Sequence, residues 1–167
     1  MGYRQAMIEL REQGLNPDWI VFATSSGGTQ AGMLLGARET GSHAKILGIS
    51  VDKPAREFRD TISEIANAGA KLLQIETNFQ PDDILVNDAY CPAGYGVMTP
   101  AEKEAILLFA RHEAILLDPV YTGRAAAGLL DLISQGFFKA DEKVLFWHTG
   151  GTPALFAEPY SEELVKP

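Results

Sequence analysis

Trp19-Ile20-Val21-Phe22-Ala23-Thr24-Ser25-Ser26-Gly27-Gly28-Thr29-Gln30-Ala31-Gly32 passes from an unbroken apolar run, through a loop of glycines and hydroxyls, into a helix-like pattern over residues 29–39. A strand that is apolar on both faces belongs inside a parallel sheet with helices covering each side, because only there are both faces dry. The same alternation recurs outward from this stretch. Lys45-Ile46-Leu47-Gly48-Ile49-Ser50-Val51 is a second apolar run, and a helical pattern over 54–68 follows it. Shorter strands are expected at 71–75, 84–86, 115–117 and 144–147, with helices over 2–13, 100–112 and 122–135. Pro100 suits a first helical turn, with Thr99 as N-cap and Glu102 within that turn, and Gly136 ends the following helix. The pattern predicts one α/β domain, a three-layer parallel sheet. Because the chain opens on a helix rather than a strand, a further strand before residue 1 is expected, and its absence would leave an apolar sheet edge unpaired.

The loop itself carries chemistry. Glycines let the backbone approach a ligand closely, hydroxyls add donors, and the free amides of a helix start favour an anion, so a phosphate is a natural occupant. A plain tight turn with an N-cap fits the same residues. The loop lacks the Gly-Lys-Ser/Thr ending of a triphosphate-binding loop and the spacing of a dinucleotide fingerprint. Ser25 and Ser26 do not sit in Gly-x-Ser-x-Gly, since Thr24 stands two residues before Ser26, and a serine-hydrolase elbow is disfavoured.

With 167 residues, 46% of them hydrophobic and 22% charged, the chain has material for one packed core and no signature of disorder. A net charge of -8 disfavours nucleic acid and anionic membrane surfaces as partners, and leaves a small molecule as the expected ligand. No run reaches the roughly 20 apolar residues that span a bilayer, and residues 1–10 lack the apolar core of a secretory signal. Cys91 is the single cysteine, so no internal disulfide forms, and a cytoplasmic location is expected. Beside Pro92 it reads as a small buried apolar residue. His43, His112 and His148 lie too far apart, without acidic or thiol companions at ligand spacing, to suggest a metal site.

Three segments taken together resemble one family. Residues 24–32 resemble the phosphate loop of the D-cysteine desulfhydrase and 1-aminocyclopropane-1-carboxylate deaminase family; Leu117-Asp118-Pro119-Val120-Tyr121-Thr122-Gly123-Arg124-Ala125 resembles its tyrosine segment; Leu145-Phe146-Trp147-His148-Thr149-Gly150-Gly151-Thr152-Pro153-Ala154 resembles its terminal signature. The likeness runs over about 2–157 and implies a fold type II enzyme, similar to the tryptophan synthase β subunit, that uses pyridoxal 5'-phosphate. It implies that Ser26, Gly27, Gly28 and Thr29 hold the coenzyme phosphate and that Thr149, with Gly150 beside it, meets the pyridine nitrogen. Tyr121 is implied on the substrate side as acid, base or nucleophile, with Tyr95 as its companion. Both also fit as ordinary half-buried aromatics. In that family the deaminases carry Glu after the tyrosine and the desulfhydrases Thr, so Thr122 tilts the expectation towards β-elimination from a sulfur-containing amino acid. Cysteate sulfo-lyases share these features.

The family's coenzyme-binding lysine and its Ser-Asn stretch come from an earlier segment, and neither is matched here. The lysines are Lys45, Lys53, Lys71, Lys103, Lys139, Lys143 and Lys166, none in the family's glycine-asparagine context. The expectation is therefore the carboxyl-terminal part of such an enzyme, inactive as an isolated chain, which forms a homodimer or associates with an amino-terminal segment bearing the lysine. A 1-aminocyclopropane-1-carboxylate deaminase and a non-catalytic remnant that binds a phosphorylated ligand are the alternatives.

Overall fold

The structure is a computed structural model that describes residues 2–166. Its centre is a parallel four-stranded sheet in the order β3-β2-β1-β4, with β1 at Trp19–Thr24, β2 at Lys45–Ser50, β3 at Leu85–Asn87 and β4 at Val144–Phe146. The strand that opens the deciding stretch is an interior one. Val21 pairs with Leu47 on one side and Phe146 on the other, and all six residues of β1 are buried.

Alternation along β1 divides the core into two halves. Ile20 and Phe22 face α1 (Gly2–Glu12) and α2 (Gly28–Thr40), where Met7, Leu10, Met33 and Ala37 cover them. Ala31 of α2 packs beside Phe58, Ile62 and Ala66 of α3 (Ala55–Leu73), over Ile84 and Val86. Trp19, Val21 and Ala23 face the opposite way, against Ala125, Leu129 and Leu132 of α5 (Thr122–Ser134). The expected three layers are present, and α4 (Pro100–Glu113) lies outside α5 through Ala105, Ile106, Ala126 and Ala127. A short helix α6 (Tyr160–Val165) follows β4. Both edges of the sheet, β3 and β4, pair on one side only.

Two expected strands do not form. Residues 71–73 continue α3, because Ala66 and Ala70 bury a helical face, and the helix ends at Gln74 in the left-handed region, φ 57°. Residues 115–117 are irregular: Ala114 closes α4 at φ 55°, Ile115 and Leu116 stay exposed, and only Leu117 enters the core beside Ala105 and Ile106.

Two glycines set how closely the layers approach. A Cβ on Gly48 would lie 2.5 Å from Gln30 Oε1, so the bare backbone of β2 admits the Gln30 side chain. That side chain then donates to Ile46 O at 3.1 Å and Leu85 O at 2.8 Å, tying α2 to two strands. A Cβ on Gly36 would lie 2.6 Å from Met7 Cβ, which brings α1 tightly onto α2.

Candidate active site

Successive connections carry the chain from β1 to β2 and β3 on one side, while β4 returns to the other side of β1. Ligands of open α/β sheets collect at such a reversal, beyond the carboxyl ends of the strands. A cleft of about 260 Å³ lies there, lined by Ala23, Thr24, Ser25, Ser26, Gly27 and Thr29 after β1, Thr149, Gly150 and Gly151 after β4, Tyr121 at the start of α5, and Tyr3 of α1.

The first wall is the glycine-rich loop. Gly27 caps α2 at φ 80°, a conformation costly for any residue with a Cβ, and a Cβ there would also lie 2.9 Å from Ile62 Cγ1. Among the described residues, no protein acceptor pairs with the backbone N–H groups of Ser26, Gly27, Gly28, Thr29 or Gln30. Ser26 and Gly28 are exposed and Thr29 half-buried, so the hydroxyls lie beside these free amides. Thr24 Oγ1, buried at the floor, has no hydrogen-bond partner among the described groups. No lysine or arginine belongs to the lining, so what this wall offers an anion is amide dipoles and hydroxyls.

The second wall is built around Asp118, which is fully buried. Its Oδ2 accepts the N–H groups of Val120 and Tyr121, both at 2.8 Å, and its Oδ1 accepts the N–H and the hydroxyl of Thr122, both at 2.7 Å. The carboxylate thus satisfies the amino end of α5 and fixes the backbone beneath Tyr121. Gly151, at φ 99°, passes directly over it; a Cβ there would lie 2.7 Å from Asp118 Oδ1. His148 secures the same turn, with Nδ1 accepting the Gly150 N–H at 3.2 Å and Nε2 placed 3.1 Å from Leu116 O, contacts that the Nε2–H tautomer satisfies together.

Tyr121 stands between the walls. Its hydroxyl hydrogen bonds that of Tyr95, and the rings meet edge to face at 6.0 Å. The bond to Tyr95, reinforced by burial and by the charges of Asp118 and Asp52, pushes the Tyr121 phenol up to about 12. It is protonated throughout the neutral range.

Of the residues singled out in the sequence, Ser26, Gly27, Thr29, Tyr121, Thr149 and Gly150 line one cleft. Gly28 sits in the same loop, outside the lining, and Tyr95 reaches the cleft only through Tyr121. Thr122 is fully buried, and its hydroxyl is engaged by Asp118, away from the cleft. None of the lysines lines it. Cys91 is half-buried, its thiol 3.2 Å from Asp88 O. Tyr3, Asp118 and His148 were not legible as site residues. Tyr3 owes its place to Gly32, whose Cβ would lie 3.0 Å from Tyr3 Cβ, and a small residue one turn into α2 was the only hint of that approach.

The chain resembles known proteins in sequence and in fold. The family model described as pyridoxal-phosphate dependent enzyme matches residues 1–150. A 1-aminocyclopropane-1-carboxylate deaminase of Methylobacterium sp. (strain 4-46) is 39% identical over 151 residues, covering 90% of this chain and 45% of the relative. The crystal structure of an ACC deaminase homologue superposes with a TM-score of 0.86 at 33% identity, over 98% of this chain and 48% of the other. A fungal L-serine ammonia-lyase from Rhizomucor miehei shares the fold, with a TM-score of 0.59 at 16% identity, over 90% of this chain and 51% of its own. The chain spans about half the length of the relatives it matches.

Proposed function

Because this chain belongs to the pyridoxal-phosphate dependent enzymes, we propose that the cleft beyond β1 and β4 forms one side of a coenzyme site serving β-elimination from a sulfur-containing amino acid, of the D-cysteine desulfhydrase type. The observation that carries this reading is the placement of unpaired loop amides opposite Tyr121 and Thr149 across a single cleft. The residues fit the coenzyme. Ser26, Gly27, Gly28 and Thr29 would hold its phosphate through amides and hydroxyls, with the buried Thr24 hydroxyl free at the floor. Thr149, held by the His148 turn, would offer its hydroxyl to the pyridine nitrogen, and Gly150 would leave the ring room to approach. Pyridoxal phosphate, when bound, supplies the electron sink for cleaving bonds next to an amino group.

Tyr121 holds a proton on its phenol oxygen at neutral pH, which suits it to protonate a departing sulfur rather than to act as a base. Thr149 would present that nitrogen with a hydroxyl in place of a carboxylate, which would leave it largely unprotonated and give a milder sink suited to elimination. Thr122 favours the desulfhydrase reading by its identity, following the family resemblance. The name of the 39% identical relative favours the second reading, deamination of 1-aminocyclopropane-1-carboxylate.

Because no lysine lines the cleft, the catalytic amine in this proposal comes from a complementing amino-terminal segment. The purified chain is expected to bind pyridoxal phosphate more tightly than pyridoxal in equilibrium dialysis. Equal affinity for the two would overturn the phosphate cradle. Assembled with a lysine-bearing amino-terminal segment, it is expected to release sulfide from D-cysteine. Ammonia from 1-aminocyclopropane-1-carboxylate without sulfide from D-cysteine would favour the second reading, and coenzyme binding with neither product would identify a non-catalytic remnant.

A further inference from the structure

Arg124 is a fully buried cation whose guanidinium donates to four protein oxygens. Its Nε donates to Glu102 Oε1 at 2.7 Å, its Nη1 to Val51 O at 2.7 Å and Gly94 O at 3.0 Å, and its Nη2 to Val97 O at 2.7 Å. Gly94 and Val97 bracket Tyr95. That tyrosine is 56% exposed and packs by one edge-to-face contact on Tyr121, and its neighbours Gly94 and Gly96 have φ values of 98° and 74°, so its placement depends on what holds the loop backbone. Beyond the Arg124 fork, the segment is held by the Tyr160 hydroxyl, which donates to Gly96 O, and by two local turns, Gly94 N–H to Cys91 O at 3.0 Å and Val97 N–H to Gly94 O at 3.4 Å. Glu102, which braces the guanidinium, also accepts the N–H of Thr99 at 2.9 Å and the Thr99 hydroxyl. One buried pair therefore joins α4, α5, the carboxyl end of β2 and the Tyr95 loop.

We propose that Arg124, braced by Glu102, is a positioning residue that holds the Tyr95 loop so that the Tyr95 hydroxyl meets that of Tyr121 at the rim of the cleft. The inference rests on the reading of Tyr121 as a group facing coenzyme and substrate. A guanidinium suits this role because its rigid fork can serve four oxygens at once, whereas an ammonium is a compact donor on a flexible stem. Arg124→Lys keeps a positive charge for Glu102 but gives up the geometry that reaches both Gly94 O and Val97 O.

The test uses the purified, coenzyme-free chain labelled with 3-fluorotyrosine, whose more acidic phenol titrates under milder conditions. Fluorine NMR follows each tyrosine, and the Tyr121→Phe variant identifies the Tyr121 signal. In the parent, Tyr121 is expected to titrate with a midpoint above that of free 3-fluorotyrosine. Tyr95→Phe and Arg124→Lys are each expected to lower its midpoint, and the double variant to lower it no further than Tyr95→Phe alone, since both changes remove one contact. Additive shifts, or a folded Arg124→Lys chain with an unmoved midpoint, would overturn the proposal. If circular dichroism shows Arg124→Lys unfolded, Glu102→Gln/Arg124→Met takes its place with the same expectation. Failure of both to fold would make the pair a scaffold element of the whole domain and would likewise overturn it. No coenzyme takes part, so a positive cycle without pyridoxal phosphate binding would sink the coenzyme reading alone.

Discussion

Glu102 shows how one side chain can serve two structural tasks, completing the first turn of α4 and neutralising Arg124. Burial by itself raises a carboxyl group's pKa. Here the hydrogen bonds from Thr99 and Arg124 outweigh it and hold Glu102 below its ordinary value of 4.5. A carboxylate more acidic when folded than when unfolded stabilises the fold above its unfolded pKa, and that contribution disappears as pH falls through the folded value. The urea midpoint is therefore expected to drop below pH 4.5, and Glu102→Gln should flatten this acid limb. The same variant should cost about 3–5 kcal/mol at pH 7, because it leaves a buried guanidinium without its counter-charge. Thr99 and Glu102 were legible as a helix start, since the capping pattern is local. Their link to Arg124 was not, because it depends on two helices meeting 22 residues apart.

At the scale of elements, the apolar runs announced β1 and β2 because both faces of each are covered, and no competing period fits six consecutive buried residues in β1 and five in β2. The shorter runs were ambiguous. Residues 71–73 could close a helix or open a strand, and burial of Ala66 and Ala70 one turn earlier decided for the helix. At 115–117 three branched or apolar residues resembled a strand, but only Leu117 found a core. Small residues in α2 were equally mute in sequence, although they set its distance from α1. Gly36→Ala is expected to destabilise the chain by about 1–3 kcal/mol through overpacking against Met7 and the Arg4 carbonyl. A urea titration measures this, and an unchanged midpoint would mean that α1 can shift away without loss.

For the whole molecule, the site was legible to the extent that its chemistry sits in contiguous segments. Residues 24–32, 117–125 and 145–154 could each be read locally, and the fold gathers them at the reversal in strand order. What joins them could not be read: Asp118 beneath Gly151, His148 between Leu116 and Gly150, and Tyr3 delivered by α1. The position of β1 between two neighbours has a further consequence. Its amides are tethered on both sides, whereas β3 and β4 are each held by one ladder, so deuterium should enter β1 last and the outer strands first. The loop at residues 25–27 springs directly from this slowest-exchanging strand, so fraying at the periphery leaves the floor of the cleft in register. Exchange in β1 as fast as in β4 would show that the sheet opens as one unit.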